Sequence, residues 1–485
     1  MSHDAGMDAT DHDLEFTPDQ MRAMAHDAVE RIVAHISSLP DQPSCGDVDV
    51  EDACRAMREP PPEAGAELDA LLTPFFDEWV GHSFTTPGPG YLAYIPGGGV
   101  FPAALADLIA NATNRYIGIW QAAPQLAQIE ANVLEWFREW MGFPETTRGL
   151  LTSGGSMATF GAIVCAREKL LGPDLRMGVI YVSTDAHHSV AKSAKLAGVL
   201  PDRVRVLPVD ESFRMSIPAL REAIEADRAA GLRPFLVASA AGTTNTGAVD
   251  PLNEIADLCE EQGLWHHCDG AYGAFFHMVP EMRGALAGMS RADSLTLDPH
   301  KGLFLPYGTG ALLVRDGKAL HAAHGGTADY LPDAPDVGEF YDVSQYGPEQ
   351  SRDFRGFRVW LTIKLYGAAR LRAAIAEKRA LTVDAAERLA RVPGLVMVAP
   401  PQLSVFAFHL HWDGATLDEE NAATTELMER VIRRGRVMIS GCKVSGRVLA
   451  RVCVLCFRTH ADRMDQGIED ITAEAEALIA EAISG

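Results

Sequence analysis

Residues 100 to 365 alternate short apolar runs with amphipathic helical segments, and this alternation restricts the fold more than any other feature. Segments such as "SIPALREAIEADRAAG" and "PLNEIADLCEEQG" separate the runs. The apolar runs are 178–183, 204–209, 235–240, 264–269, 294–298 and 310–314. Repetition of strand, helix and strand predicts a mostly parallel sheet with helices on both faces. Ligands bind at the carboxyl ends of strands in such sheets, so polar residues there are the first candidates for a site.

Two flanking regions predict an N-terminal helical arm and a smaller C-terminal α+β domain. Thr17, Pro18 and Asp19 begin a helix with apolar residues at helical spacing, which the main body or a second subunit must cover. After Trp360 come a long helix, the strand-like runs "SVFAFHL" and "RVLARVCVLCF", and a last helix. The predicted domains are the arm, 1–98; the large α/β domain, 99–366; and the small domain, 367–485.

The charge and cysteine content exclude several classes of partner. Acidic residues outnumber basic ones by 66 to 42, a formal net charge of −24, whereas nucleic acids and anionic membranes require clustered positive charge. The N-terminal residues are too acidic for a signal peptide, and no apolar run approaches the ~18 residues of a membrane helix. The eight cysteines form no dense framework, although Cys453 and Cys456 are three residues apart. We therefore expect reduced thiols and a cytoplasmic protein.

The stretch "TSGGSMATFGAIVCAR" (152–167) is a glycine-rich turn that leads into an apolar helix. Free backbone N–H groups and the positive end of the helix dipole favour an anion at such a turn, and Gly155 and Ser156 are best placed to bind it. A helix start capped by serine explains the same residues about as well. The pattern leaves both interpretations open.

Two further polar residues follow predicted strands. His187 in "YVSTDAHHSVAKSA" lies between a strand and a helix, but a structural histidine is commoner and the adjacent His188 competes for any role. Asp269 in "LWHHCDGAYGAFF" ends a strand and precedes small residues that admit a flat ligand. Capping the next turn is the commoner use of such an aspartate.

Lys301 stands in an apolar, turn-rich stretch, "LTLDPHKGLFLPYGTG" (295–310). Lysine is rarely buried without a partner or a task, and desolvation lowers its pKa so that the amine attacks carbonyl groups. A reactive lysine, a phosphate cradle, a residue beside a flat ring and a carboxylate are together what pyridoxal phosphate requires. Each feature alone is weak evidence, but the ordered set predicts this cofactor.

These motifs resemble those of the group II pyridoxal-phosphate-dependent amino acid decarboxylases, the group that includes aromatic-L-amino-acid decarboxylase. The resemblance covers nearly the whole chain, and its most specific motif is "DPHK" (298–301). The segments "HCDGAYG", "AHHSV", "GTTNTGAVD" and "SRDFRGFRVW" also match the family's pattern. The resemblance implies an α/β fold of the aspartate aminotransferase-like type, fold type I, and a homodimer with its site at the subunit interface.

The resemblance also implies roles for individual residues. It implies that Lys301 forms the aldimine with the cofactor. A quinonoid intermediate would form later, when the substrate loses carbon dioxide. Asp269 would keep the pyridine nitrogen protonated, and His187 would stack on one face of the ring. Gly155 and Ser156 would bind the phosphate, with Asp298 and His300 nearby. Thr244 would contact the cofactor, and Ala271 would lie on the ring face opposite His187.

A tyrosine and a wall segment complete the site that the resemblance implies. Tyr330, in the glycine-containing loop 324–347, matches the family's proton donor, which is phenylalanine in aldehyde-forming relatives. The alternative is that Tyr330 only anchors this loop. The resemblance implies that the substrate wall consists of Tyr94, Ile95, Pro96, Gly97, Tyr116, Gly118 and Trp120. Aromatic residues at this density are also common in an ordinary hydrophobic core.

The chain departs from the family's pattern at four places, one of which is "GGG" (97–99) in place of a bulkier, more polar stretch. Gly302 stands where tryptophan is usual after the lysine, Asp298 where asparagine is frequent, and Asp353 where arginine is common. An extra carboxylate near a phosphate requires a cationic partner, for which Arg352 and Arg355 are the candidates. These differences leave the reaction class intact and leave the substrate open.

The sequence therefore predicts a pyridoxal-phosphate-dependent carboxy-lyase acting on an L-amino acid, with an aromatic side chain favoured. The alternatives are a decarboxylase of glutamate or a diamino acid, and an aldehyde-forming or carbon–carbon lyase relative on the same scaffold. A non-catalytic assembly protein is disfavoured because the lysine, aspartate and histidine are all present. We expect no metal, no nucleic acid and no membrane as partners.

Overall fold

The computed structural model describes residues 14–46, 50–326 and 340–484. The strands are β1 Arg148–Thr152, β2 Gly178–Ser183, β3 Val204–Leu207, β4 Arg233–Ala240, β5 Trp265–Asp269, β6 Ser294–Leu297, β7 Gly310–Val314, β8 Leu395–Met397, β9 Val405–Leu410, β10 Ser440–Val444 and β11 Arg447–Cys453. The helices are α1 Pro18–Ser38, α2 Glu51–Ala56, α3 Leu68–Pro74, α4 Phe101–Thr113, α5 Pro124–Trp140, α6 Gly155–Leu170, α7 Ser189–Leu196, α8 Ile217–Ala229, α9 Leu252–Gln262, α10 Pro299–Gly302, α11 Gly317–His324, α12 Arg355–Leu389, α13 Leu417–Arg433 and α14 Ala461–Ser484.

The central sheet has seven strands in the order β1-β7-β6-β5-β4-β2-β3. The pairs from β3 through β6 are parallel, as the alternating pattern predicts, and their strands are apolar because helices cover both faces. The strand β7 runs antiparallel to both β6 and β1. The apolar pattern of the sequence does not reveal β1, since this short strand begins with an arginine and a glycine rather than with an apolar run.

Two apolar layers enclose the sheet. On one side α6 packs with alanines and other small residues, including Ala158, Ala162 and Ala166, so that the helix lies close against the strands. On the other side Phe137 of α5 meets Phe275 edge to face, with ring centroids 5.3 Å apart. Both layers leave the carboxyl ends of the parallel strands free to carry loops.

The C-terminal part forms the predicted smaller α+β unit. Its antiparallel sheet has the order β10-β11-β9-β8, and apolar residues of α13 and α14 pack on it. The long helix α12 leads from the large unit into this sheet and breaks at Gly367, whose φ of 73° lies in the left-handed region that glycine tolerates. The domain boundaries at 98 and 366 stay a prediction.

The N-terminal arm begins as the sequence predicts. Thr17 and Gln20 form a capping box at the start of α1. None of the residues of α1 or α3 is buried, and the apolar side chains of Met21, Val33 and Leu71 are about half exposed. Within one chain the main body does not cover the apolar stripe. None of the helices in the described part of the chain has the length and apolar character that a bilayer crossing requires.

A buried ion pair ties α5 to the start of α12. The Glu130 and Arg352 side chains are 0% and 2% exposed, with Oε1 and Nη1 2.5 Å apart. Arg352 also donates through Nη2 to the carbonyl of Leu151 at 2.8 Å. Removing one member of such a pair leaves an uncompensated charge in the interior.

We predict that Glu130→Ala lowers the free energy of unfolding by about 3–5 kcal/mol, because Arg352 keeps its charge and loses its partner. Chemical denaturation followed by tryptophan fluorescence measures the change. The control is Glu135→Ala on the same helix, which removes a half-exposed partner of Arg138 and should cost less than about 1 kcal/mol. Equal losses in the two variants would contradict the importance of the buried pair.

Candidate active site

A cavity of about 270 Å³ lies where α6 begins and where β4, β5 and β6 end. All the residues that the sequence analysis assigned to the cofactor line it, namely Gly155, Ser156, His187, Thr244, Asp269, Ala271, Asp298, His300 and Lys301. The set spans residues 155 to 301 in sequence, so the parallel sheet is what assembles its members. The roles assigned to them remain predictions.

The start of α6 forms one end of the cavity. Its N-cap is Gly154, which provides no capping side chain, so the serine-capped alternative is wrong. Within the described residues, the backbone N–H groups of Gly155 and Ser156 have no acceptor, whereas the next two N–H groups bond to the Gly154 carbonyl. A Cβ on Gly155 would lie 3.1 Å from both Ala271 Cβ and Asp298 Oδ2. The turn is therefore open to an anion and closed to a larger side chain.

His187, rather than His188, faces the cavity, while His188 is exposed. The backbone N–H of Ser189 donates to His187 Nδ1 at 3.3 Å, and the Ser189 hydroxyl lies 2.7 Å from the same atom. Burial lowers the pKa of His187, and the charge of Asp269 only partly opposes this effect. The ring is thus neutral at neutral pH, with its proton on Nε2.

Asp269 ends β5 at the cavity wall, beside Ala271. Its Oδ1 accepts the backbone N–H of Ala271 at 3.1 Å, so the turn-capping interpretation is correct for this oxygen. Among the described residues Oδ2 accepts no hydrogen bond, and the residue lines the cavity. One oxygen holds the carboxylate in place while the other is available to a ligand.

Lys301 lies in the short helix α10, one turn after Asp298. The Nζ of Lys301 is 2.9 Å from Asp298 Oδ2, and the Asp298 carboxylate is buried. Burial lowers the pKa of the Lys301 amine, but the charge and hydrogen bond of Asp298, with the charge of Asp269, outweigh burial and raise that pKa. The expectation of a desolvated lysine with a lowered pKa is therefore wrong for the free amine.

His300 lies between the carboxylate of Asp298 and the loop that contains Thr309. It donates from Nδ1 to the carbonyl of Thr309 at 2.7 Å, and its Nε2 is 3.6 Å from Asp298 Oδ2. Burial lowers the pKa of His300, so the ring is neutral. Asp298 Oδ1 is buried and has no partner among the described residues.

Arg451, which the sequence analysis did not select, organises the loops around Thr244. This buried side chain of β11 donates from Nε to the Thr244 carbonyl at 2.6 Å, from Nη2 to the Tyr94 carbonyl at 2.7 Å and from Nη1 to Ser440 Oγ at 3.1 Å. An arginine within the apolar run "RVLARVCVLCF" is the signal that was available in the sequence. Tyr272 also lines the cavity and was likewise missed as an individual residue.

None of the predicted substrate-wall residues lines the cavity of its own chain, although one wall segment packs against the lysine turn. A Cβ on Gly97 would lie 2.0 Å from the His300 carbonyl oxygen, so Gly97 packs directly against the lysine turn, and Pro96 beside it is buried. Tyr94 is exposed and stacks on Tyr91, with ring centroids 6.5 Å apart.

Two aromatic residues of the predicted wall do not line the cavity of their own chain. The Tyr116 hydroxyl donates to the Gln350 carbonyl at 3.1 Å. Trp120 stacks on Phe340, with ring centroids 4.7 Å apart, and its backbone N–H donates to Asp342 Oδ1 at 2.7 Å. Tyr330 lies outside the described residues.

The departures from the family pattern have local explanations. A Cβ on Gly302 would lie 2.8 Å from Phe275, so Phe275 leaves no room for a side chain there. Asp353 is paired with Arg355 at 2.9 Å and with Arg358 at 3.1 Å, as the sequence analysis required of an extra carboxylate. Asp298 instead pairs with Lys301 itself.

Comparison with known proteins agrees with this geometry. The family model of the pyridoxal-dependent decarboxylase conserved domain matches residues 78–411. The aromatic-L-amino-acid decarboxylase of Bacillus atrophaeus is 34% identical over 96% of this chain and 97% of its own. The L-2,4-diaminobutyrate decarboxylase of Rhizobium meliloti is 30% identical over 87% of this chain and 84% of its own. The crystal structure of Oryza sativa TDC with PLP and tryptamine superposes with a TM-score of 0.91, at 27% identity, covering 96% of this chain and all of that one.

The chain belongs to the pyridoxal-dependent decarboxylase family. It is an enzyme, a carboxy-lyase that uses pyridoxal phosphate, and its fold is fold type I, as predicted.

We predict that Gly155→Val weakens pyridoxal phosphate binding about tenfold or more, because the added methyl groups would occupy the space in front of the free N–H groups. Titration of the apoenzyme with the cofactor, followed by absorbance, measures the dissociation constant. Gly284→Val is the control, since no atom lies within 4 Å of the place that its Cβ would take. Unchanged affinity in Gly155→Val would exclude this turn as the phosphate site.

Proposed function

We propose that this enzyme decarboxylates an aromatic L-amino acid to the corresponding amine and carbon dioxide at the cavity around Lys301. The observation that carries the proposal is the convergence of a lysine amine, a free carboxylate oxygen, a neutral imidazole and an unsatisfied helix start on one cavity. The similarity to aromatic-L-amino-acid decarboxylase supports the choice of substrate class.

The residues present fit pyridoxal phosphate. The free N–H groups of Gly155 and Ser156 would hold its phosphate, and Asp269 Oδ2 would hold a proton on its ring nitrogen. His187 would flank the ring on one side and Ala271 on the other. When bound, the cofactor supplies an electron-withdrawing ring that takes up the electron pair left by the departing carbon dioxide.

The protein contributes the placement of protons and charges around the ring. Asp298 holds the Lys301 amine in the cavity and is positioned to accept its proton when the amine must react as a neutral nucleophile. The neutral ring of His187 can donate from Nε2 to an anionic group of the substrate. We propose Tyr330 as the donor that protonates the substrate carbon, which rests on the resemblance at "ADYLPD".

An aromatic substrate agrees with the charges of the cavity. Among the described lining residues, Lys301 is the one lysine or arginine, so an acidic side chain such as that of glutamate has no second cation to bind. A diamino acid is the second candidate, because a diaminobutyrate decarboxylase is among the relatives.

We further propose that the enzyme is a homodimer in the cytoplasm. A second copy would cover the exposed apolar residues of α1 and α4, such as Val33, Leu108 and Ile109, and would bring Tyr116 and Trp120 to the neighbouring site. The eight cysteines are free thiols, as is typical of a reducing compartment.

We predict that steady-state assays with tryptophan, tyrosine, DOPA and phenylalanine give amine and carbon dioxide, and that glutamate and 2,4-diaminobutyrate react at least about a hundredfold more slowly in kcat/KM. Glutamate is disfavoured because the described lining residues provide no second cation, and 2,4-diaminobutyrate because Asp269 would be engaged by the cofactor and Asp298 pairs with Lys301. Preference for either charged substrate would overturn the assignment.

Lys301→Ala is the matched control for these assays and should abolish turnover while the far-ultraviolet circular dichroism stays unchanged. Treating the wild-type holoenzyme with borohydride and mapping the peptides should place the cofactor on the peptide that contains residue 301. Label on a different lysine would disprove the role of Lys301.

We predict that Tyr330→Phe retains cofactor binding and shifts the product from amine towards aldehyde, with ammonia and hydrogen peroxide released, because the carbon loses its proton donor and reacts with dioxygen and water instead. Product analysis by mass spectrometry with a peroxide assay measures the ratio. Tyr341→Phe is the control for a nearby tyrosine. An unchanged amine yield in Tyr330→Phe would remove Tyr330 from the mechanism.

A further inference from the structure

A second large concavity lies between the C-terminal half of α12 and the segment that follows β8. Its volume is about 460 Å³, and no described residue lines both it and the cavity around Lys301. Val383, Ala386, Met397 and Pro400 contribute apolar surface to it. We call it the α12 groove. Its volume falls in the range of sites that bind small molecules.

Arg379 is a cation in the α12 groove that has no partner among the described residues. Its Nε and Nη1 atoms are buried without a hydrogen bond, and the described residues provide it with no ion pair. The buried Arg352 and Arg451, in contrast, each bond to two or more acceptors. Arg379 is partly exposed, but two of its donors are buried without an acceptor, which is unfavourable, so the side chain is suited to receive an anion from the groove.

The surroundings of Arg379 supply no substitute for that anion within the described part of the chain. Burial lowers the pKa of Arg379, and the nearby Tyr272 is the group that opposes this effect. Glu387 is the acidic residue that lines the groove, but it is exposed and lies eight residues further along the helix, about 12 Å of rise away. Glu387 therefore borders the far end of the groove and makes no ion pair with Arg379.

We propose that the α12 groove binds a small monocarboxylic acid with an apolar body, whose carboxylate pairs with the Arg379 guanidinium. The planar fork of arginine holds a carboxylate by two parallel bonds, through Nη2 together with either Nε or Nη1, and both of these partner groups are unused in Arg379. The apolar walls would bury the hydrocarbon part of the ligand. The carboxyl group of Glu387 disfavours a second negative charge at the other end, so a monoacid is preferred over a diacid.

Calorimetric titration of the holoenzyme with octanoate tests the proposal, and octanamide provides a neutral ligand of the same shape. We expect saturable binding of octanoate and binding of octanamide at least about tenfold weaker, the value of a charge-assisted hydrogen-bonded pair. Arg379→Met should remove the preference for the acid. The control Arg391→Met removes the same charge from an exposed residue near the end of the helix and should leave the affinity unchanged.

A second variant covers the case in which Arg379→Met does not fold. Ala390→Trp keeps the arginine and fills the groove from an exposed lining position, so it should abolish octanoate binding. Three results would each overturn the proposal: no saturable binding of octanoate to the wild-type holoenzyme, equal affinity for acid and amide, or an equal loss in Arg391→Met.

Discussion

Ala240, Asp269 and Thr296 lie side by side on β4, β5 and β6, because the parallel register pairs the first with the second and the second with the third. The chain leaves all three strands at the same edge of the sheet. The loops that follow carry Thr244, Ala271 and Lys301 into one cavity. A shift of one residue in this register would turn the Asp269 side chain to the opposite face, so the hydrophobic packing that holds the register also holds the chemistry.

The charge of Lys301 is balanced within the site rather than by solvent. Asp298 holds the amine at 2.9 Å in a buried position, and its second oxygen has no partner among the described residues. Without the positive charge of Lys301, the carboxylate of Asp298 would be unfavourable beside the site proposed for the phosphate. The pair therefore explains how the chain accommodates aspartate where relatives frequently have asparagine, and it stores the proton that the amine must give up before it reacts.

The small unit stabilises the site through backbone contacts. Arg451 reaches from β11 to the carbonyls of Thr244 and Tyr94, and so connects the large unit and the segment after the N-terminal arm. A buried guanidinium is suited to this task because its several N–H groups lie in one plane and can reach acceptors on separate loops. The orientation of the smaller sheet is thereby linked to the shape of the cavity.

The apolar alternation predicted the parallel sheet, the ordered set of lysine, glycine turn, histidine and aspartate predicted the cofactor, and the family resemblance implied nine of the residues that line the cavity. These features are local, since each depends on side-chain period or on adjacent residues. The antiparallel strand β1 was missed because it begins with an arginine and a glycine instead of an apolar run, and its pairing with β7 joins parts of the chain more than 150 residues apart. Tyr116 and Trp120 lie away from the cavity of their own chain. The spacing of residues in the sequence could not predict this position.

By itself, the sequence determined the class of fold and the cofactor that the site binds. Strand and helix periods and a few reactive side chains can be recognised directly from the order of the residues. Only the tertiary structure decided the charge state of Lys301, the clamp formed by Arg451 and the unpaired state of Arg379 among the described residues. Each of these depends on which groups from distant parts of the chain exclude water from one another, and burial and charge pairing exist only after the chain has folded.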